Sequence, residues 1–223
     1  MWPWSKRKES TSNNSFRETL FGDMPLSTWA GAGNGEPWAS FANAVASLER
    51  GDRTGGIDAL RAIVLQPGLE SRHYLQAWCA LRELGILPAA DLAKHVYGVV
   101  VDVPVSDGLD SLAAYEDRRA RYVNFSGAVI VWEAPDSRMD DYLEELLAAG
   151  RKLAKLIGPW EGTRPALPPG QARISLLTPS GLHFGQAPLA AFTQDAMAAP
   201  LLDAATRLMQ SLIRLTEASR GTA

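Results

Sequence analysis

The chain has few of the residues from which covalent or metal cross-links are built. It contains one cysteine, Cys79, which excludes an intramolecular disulfide and a cysteine-rich zinc site. The three histidines, His73, His95 and His183, are dispersed and lack the paired spacing of metal ligands. We therefore expect neither a metal nor another cofactor. A lone cysteine is typical of a reducing compartment, so a cytoplasmic location is expected.

Long apolar runs and an excess of positive charge are also lacking. No run reaches the roughly 18 apolar residues of a membrane-spanning helix, so no transmembrane segment is predicted. No apolar segment of the kind that a secretory signal needs follows the opening residues, MWPWSKRKES. The net charge of −3 argues against a broad surface for nucleic acid. We expect a protein partner and no nucleic-acid partner.

Residues 96–133 show the pattern of β-strands. Clusters of turn residues interrupt this stretch three times, at residues 106–108, 116–118 and 124–127. The runs between them are rich in Val, Ile, Tyr and Trp, which suit a pleated and half-buried surface. The pattern predicts an antiparallel meander of about four strands.

Residues 1–35 are expected to form a flexible N-terminal tail, because Ser, Thr, Asn and Gly dominate there. The apolar residues from Trp38 onward recur at helical spacing and predict a first helix that ends at Gly51. Further helices are predicted over residues 54–66, 71–84 and 88–95. One face of the third helix carries a stripe that comprises Leu75, Trp78, Cys79 and Arg82. Cys79 is expected to be a small core residue on this stripe. Residues 36–95 are thus predicted to form a helical hairpin module.

The helical segment repeats with a period of 34 residues. Gly51 and Gly85 end two of its helices at that separation, and Thr54 and Pro88 open the next helices at the same separation. This period is that of the tetratricopeptide repeat. Residues 37–94 resemble that family in their Gly-Asp turn, their Ala-Leu helix and the Pro between units. The resemblance implies helical hairpins with a concave surface for peptides. Two unrelated helical hairpins would give the same spacing, and both interpretations stay open.

The remaining elements complete an α+β domain, predicted over residues 96–218. An amphipathic helix follows Pro135, with acidic residues early and basic residues late, as the helix dipole prefers. Two short strands over residues 173–178 and 182–185 and a last helix from Pro200 follow. We therefore predict N-terminal helical hairpins, then an antiparallel sheet of about six strands covered by two long amphipathic helices.

The turn over residues 178–186 is the best local candidate for chemistry. It brings Ser180 and His183 together with two glycines, beside a proline-rich link that contains Trp160. A serine near a histidine suggests a nucleophile and its base. We expect, however, that a hairpin does not by itself aim the imidazole at that hydroxyl. The alternative is a turn serine beside a half-buried histidine.

A second candidate surface lies on the meander. Its residues are predicted to form an aromatic and weakly basic strip across the sheet: Tyr115, Arg121, Tyr122 and Trp132. Trp132 and Trp160 are further expected to line a groove for a ligand or a partner. A structural role in the core is the interpretation that the sequence favours for each of them.

Two functions are compatible with these observations. The first is a non-enzymatic interaction protein, scaffold or adaptor, in which the helical module docks a partner and the sheet domain serves recognition or homo-oligomerisation. The second is a small-molecule sensor or an enzyme with a pocket near residues 178–186. An exposed apolar patch would favour the first, whereas a deep cleft with a histidine of perturbed pKa would favour the second.

Overall fold

The computed structural model describes residues 16–105 and 108–221. The helices before the sheet include α1 (Leu26–Ala30), α2 (Trp38–Glu49), α3 (Arg53–Leu65) and α4 (Ser71–Glu83). Four strands follow: β1 (Gly98–Val105), β2 (Gly108–Tyr115), β3 (Ala120–Val123) and β4 (Val129–Trp132). The chain ends with α5 (Asp140–Ala154), β5 (Gln171–Thr178), β6 (Gly181–Pro188), α6 (Leu189–Phe192) and α7 (Ala198–Gly221).

The six strands form one sheet in the order β4-β3-β2-β1-β5-β6, and every neighbouring pair is antiparallel. The predicted α+β architecture with a six-stranded antiparallel sheet is therefore confirmed. The first four strands are the predicted meander, and the later hairpin adds to it beside β1.

Successive side chains of each strand point to opposite faces of this sheet. One face, here the helix-pair face, carries Val99, Ala114 and Leu176, which pack against α5 and α7. The other, the module face, carries Val100 and Leu177, which pack against α4 and the segment before α1. The protein thus has a sheet with helical layers on both sides.

The helix α5 lies close to the sheet because Gly150 has no side chain. A Cβ at this position would be 2.6 Å from Cγ2 of Val99. The apolar stripe of α5 includes Leu143 and Leu146, both fully buried, and Leu208 of α7 packs into the same core. The helix begins at Asp140, somewhat later than predicted from Pro135.

The helices α2, α3 and α4 pack around Phe41, Leu60 and Leu81. Asp52 caps α3 by accepting a hydrogen bond of 2.9 Å from the N–H of Gly55. The fourth predicted helix, over residues 88–95, is not formed. This segment makes turns instead, such as the one in which the N–H of Ala93 donates to the C=O of Ala89. The segment leads directly into β1, which begins at Gly98.

The described part of the predicted tail contributes to the core. Leu20 and Phe21 are buried against the module face, and the C=O of Leu20 accepts a hydrogen bond of 2.7 Å from the Tyr115 hydroxyl. Trp29 of α1 is buried among the helices of the module. Residues 1–15 of the predicted tail lie outside the described residues.

Candidate functional site

A cleft of about 740 Å³ lies between the helical module and the β5–β6 hairpin. Four parts of the chain form its walls: the segment before α1, one stripe of α4, the loop after α5 and the turn between β5 and β6. Its main lining residues are Glu18, Phe21, Asp23, Met24, Leu75, Cys79, Arg82, Glu83, Trp160, Glu161, Arg164, Ser180 and Leu182. The predicted turn over residues 178–186 therefore forms the floor of a cleft.

The α4 wall follows from helical spacing. Leu75, Cys79 and Arg82 lie four and three residues apart, so their side chains share one face. Gly22 allows the opposite wall to come close, because a Cβ there would be 2.7 Å from the Cβ of Leu75. Its φ of 63° is also one that glycine adopts without strain.

Arg164 closes one side of the cleft. Its guanidinium forms ion pairs with Glu18 and with Asp23, the latter at 3.2 Å. Its Cζ also lies 3.8 Å from the centre of the Phe21 ring, the distance of a cation–π contact. These contacts join the loop after α5 to the segment before α1, although the two are far apart in sequence.

Ser180 and His183 are hydrogen-bonded at the floor. The Ser180 Oγ lies 3.0 Å from Nε2 of His183, and Nδ1 of His183 lies 3.1 Å from the C=O of Ile157. A carbonyl only accepts, so Nδ1 carries the proton in neutral His183, and Ser180 donates to Nε2. The expectation that the hairpin does not aim this imidazole at the hydroxyl is thus wrong. The tight turn brings Ser180 back over the start of β6, where His183 lies.

The imidazole of His183 is held in its neutral form. The ring is fully buried, and this burial lowers the pKa of His183. The hydrogen bond to the Ile157 carbonyl acts in the opposite direction and is the weaker influence. A histidine of perturbed pKa is the feature expected of a sensor or an enzyme, but His183 does not itself line the cleft and is connected to it through Ser180.

The backbone around Ser180 limits the chemistry at its hydroxyl. The N–H of Ser180 donates to the C=O of Ala93 at 3.1 Å, so it is not free to stabilise an oxyanion. The Thr178 hydroxyl lies 3.0 Å from Ser180 Oγ and donates at 2.9 Å to the C=O of Gly181. The arrangement therefore orients Ser180 as a hydrogen-bonding group better than it equips it for acyl transfer.

Arg82 and Cys79 are the other polar groups of the α4 wall. Nη1 of Arg82 donates to the C=O of Pro179 at 2.7 Å, and burial lowers the pKa of this guanidinium. Cys79 is half-buried, and burial raises the pKa of its thiol to about 11, so it is a neutral thiol at pH 7. The prediction of Cys79 as a core residue is corrected, since it lines the cleft.

The predicted aromatic strip on the meander does not exist as one surface. Tyr115 is buried with the module-face residues, and Arg121, opposite Ala113, lies on that same face. Tyr122 and Trp132 lie on the helix-pair face. The strand period of two sends neighbours such as Arg121 and Tyr122 to opposite sides.

These four residues serve the fold in the described structure. Tyr115 bonds to the Leu20 carbonyl, and Arg121 forms an ion pair with Glu133 at 2.5 Å. Trp132 lies on the edge strand β4, whereas Trp160 lies beside β6 at the other edge, where its N–H donates to the C=O of Leu182. The expected groove shared by the two tryptophans is therefore not formed. Trp160 alone lines the cleft, with 49% of its surface exposed.

Residues that the sequence did not single out complete the site. The most important are Arg82 and Arg164. Arg82 did leave a signal, because it is a charged residue on the stripe of Leu75 and Cys79. Arg164 lies in a proline-rich link without periodicity, and no pattern there marks a functional side chain.

Within residues 16–105 and 108–221, no group of three or more His, Cys, Asp or Glu is arranged to hold a metal ion. No helix of this part is long and apolar enough to cross a membrane. The chain matches no family model, and no curated protein or solved structure matches it either. Any assignment of function therefore depends on the geometry of the cleft.

Proposed function

We propose that this protein binds a small organic molecule in the cleft between the helical module and the β5–β6 hairpin. The observation that carries this proposal is a cleft of about 740 Å³ whose polar groups come from separate walls. Sites for small molecules typically enclose roughly 300–1,000 Å³ and combine apolar walls with a few placed polar groups.

The lining fits this description. Leu75, Phe21 and Met24 supply apolar surface, and the half-exposed Trp160 offers an aromatic face. Ser180 and Arg82 supply hydrogen-bonding groups. A ligand with an apolar body and a small number of polar atoms complements these walls.

Binding without a covalent step fits better than acyl transfer. His183 is fully buried and contacts the cleft through Ser180, so it has no open path to protonate a leaving group. The N–H of Ser180 is already bonded to Ala93. Both features favour a receptor or sensor.

The role as an interaction scaffold stays a prediction. The two most exposed leucines of the helical module, Leu65 and Leu87, are 81% and 75% exposed. They lie at opposite ends of the α3–α4 hairpin, separated by the length of α4, about 20 Å at 1.5 Å per residue. They do not form a continuous patch of the kind that marks a docking surface.

The single cysteine allows a direct test. Purified protein is equilibrated with a library of disulfide-bearing fragments under mild reductant, and adducts are counted by intact mass spectrometry. We expect a few fragments to be selected strongly at Cys79, because the cleft adds non-covalent contacts to the disulfide.

The matched control is the double variant Cys79→Ser with Asp58→Cys, which moves the thiol to the exposed face of α3. The selected fragments should lose their advantage there. Equal labelling at both positions, fragment by fragment, would show that the cleft does not recognise ligands.

A further inference from the structure

The guanidinium of Arg82 lies in the cleft. Among the described residues, no carboxylate oxygen lies within 4.0 Å of its nitrogens. The nearest influences come from Glu83 and Asp23 at longer range, and Asp23 is engaged by Arg164. A partly buried cation without a counter-charge is costly, which makes the site receptive to an anion.

The guanidinium is also held in place. One nitrogen, Nη1, donates to the C=O of Pro179, which leaves most of its five N–H donors for another acceptor. Gly181 lies beside this group, since a Cβ there would be in ordinary contact with Nε of Arg82 at 3.7 Å. The Arg82 guanidinium is therefore anchored on the turn that carries Ser180.

From this geometry, and resting on the proposed function of the cleft, we propose that its ligand is a small monocarboxylate whose carboxylate pairs with Arg82. A planar guanidinium matches a carboxylate through two parallel hydrogen bonds. The hydroxyl of Ser180, whose proton is directed to His183, presents an acceptor to an N–H or O–H group of the same ligand.

The charges of the lining favour one negative charge over two. Arg82 and Arg164 face four acidic residues of the cleft wall: Glu18, Asp23, Glu83 and Glu161. This lining is net negative and repels a phosphate dianion more strongly than a monocarboxylate, since Arg164 is already paired with two of these acids. A monocarboxylate needs only Arg82 and places its apolar body against Leu75 and Trp160.

The test uses two probes of the same size, 3-mercaptopropionate and 3-mercaptopropanamide, each equilibrated as a mixed disulfide with Cys79. Arg82 lies three residues from Cys79 on the same helix face. A hydrogen bond between two charged groups is stronger than one to a neutral amide, so we expect a preference for the carboxylate of about tenfold at low salt, which corresponds to ~1.4 kcal/mol. Mass spectrometry of the two adducts measures this ratio.

Arg82→Gln should reduce the preference to near unity, and Arg82→Lys should leave an intermediate preference. If the Gln variant does not fold, the Lys variant, which retains the charge, provides the comparison with the wild type. Arg61→Gln, on the exposed face of α3, removes the same charge and should keep the tenfold ratio.

The outcomes separate the two proposals. Strong labelling of Cys79 by both probes with no preference would overturn the carboxylate inference and leave the binding cleft standing. A preference that persists in Arg82→Gln would also overturn it. Failure of the fragment library to discriminate Cys79 from the exposed thiol at position 58 would remove the binding function itself.

Discussion

The two faces of the sheet are covered by helices in different ways. On the helix-pair face, β1, β2 and β5 present apolar side chains to one continuous apolar core with α5 and α7. The module face carries, besides its apolar cluster, several buried polar side chains: Asp102, Ser111, Arg121 and Arg173. Asp102 accepts a hydrogen bond of 2.6 Å from Ser111.

This difference separates stability from recognition. An apolar interface tolerates no change of shape without loss of packing energy. The module face accommodates charge, has glycines where segments cross and opens into the cleft at its β5–β6 end. We infer that the helix-pair face supplies most of the stability and that the module face is free to hold a ligand.

The largest expected effect is on the helix-pair face. Leu208→Ala removes a fully buried side chain of α7 and should lower the free energy of unfolding by roughly 2–5 kcal/mol, through lost burial and a cavity. Urea denaturation measures the change. Leu156→Ala is the matched control, because Leu156 is 64% exposed, and it should have little effect. Equal losses of stability in the two variants would contradict the inference that the helix-pair face supplies most of the stability.

The next effect is a pH dependence on the module side. His73 packs among Trp29, Trp38 and Phe41, and its Nδ1 has no hydrogen-bond partner among residues 16–105 and 108–221. Burial, aided by the neighbouring Arg72, lowers the pKa of His73 from 6.5 to about 4. The unfolded chain therefore binds the proton more readily, and stability falls as the pH falls from about 6.5 to 4.

The size of this loss is up to about 3 kcal/mol. His73→Phe removes the titrating ring and keeps the aromatic packing, so it should flatten the decline in that pH window. Thermal melts at pH 7, 5.5 and 4.5 measure it, and His95→Phe, at a surface histidine near Glu116, is the control. An unchanged decline in His73→Phe would place the sensitivity elsewhere.

The smallest effect is expected at Asp102. Burial raises the pKa of Asp102 above its ordinary value, although Arg173 acts in the opposite direction. A raised pKa means that the folded state prefers the protonated carboxyl, so its contribution to stability is lost as the pH rises above about 3.8. Asp102→Asn should then change stability by less than about 1 kcal/mol at pH 7.

Relative to the wild type, Asp102→Asn should gain stability between pH 3.5 and pH 7, as urea midpoints at the two pH values will show. A loss of several kcal/mol at pH 7 would instead identify the carboxylate as a strong net stabiliser. The two faces would then differ less than their composition indicates.

Much of the architecture was predictable because its signals are periodic. Strand alternation in residues 96–133 and the stripes of α5 and α7 depend on neighbours within a few positions. The segment around Leu92 was assigned to a helix because local spacing favours one there. The competing requirement to enter β1 comes from the tertiary structure and leaves no local pattern.

The cleft was predictable only in part. Ser180, His183 and Trp160 were noticed because their residue types suggest chemistry. The strip that joined Arg121 to Tyr122 was wrong, since adjacent strand residues cannot share a face. The contact between Arg164 and Glu18 joins residues 146 positions apart, and no spacing rule reaches that far.

The carbonyl of Ile157, just beyond α5, accepts hydrogen bonds from two directions. Nζ of Lys94, in the link between the module and β1, donates to it at 3.1 Å, and Nδ1 of His183, in β6, donates to it at 3.1 Å. This single oxygen atom therefore connects, by hydrogen bonds, the layers on both sides of the sheet. A displacement of Ser180 would therefore reach, through the imidazole, the carbonyl that follows α5 on the opposite face of the sheet.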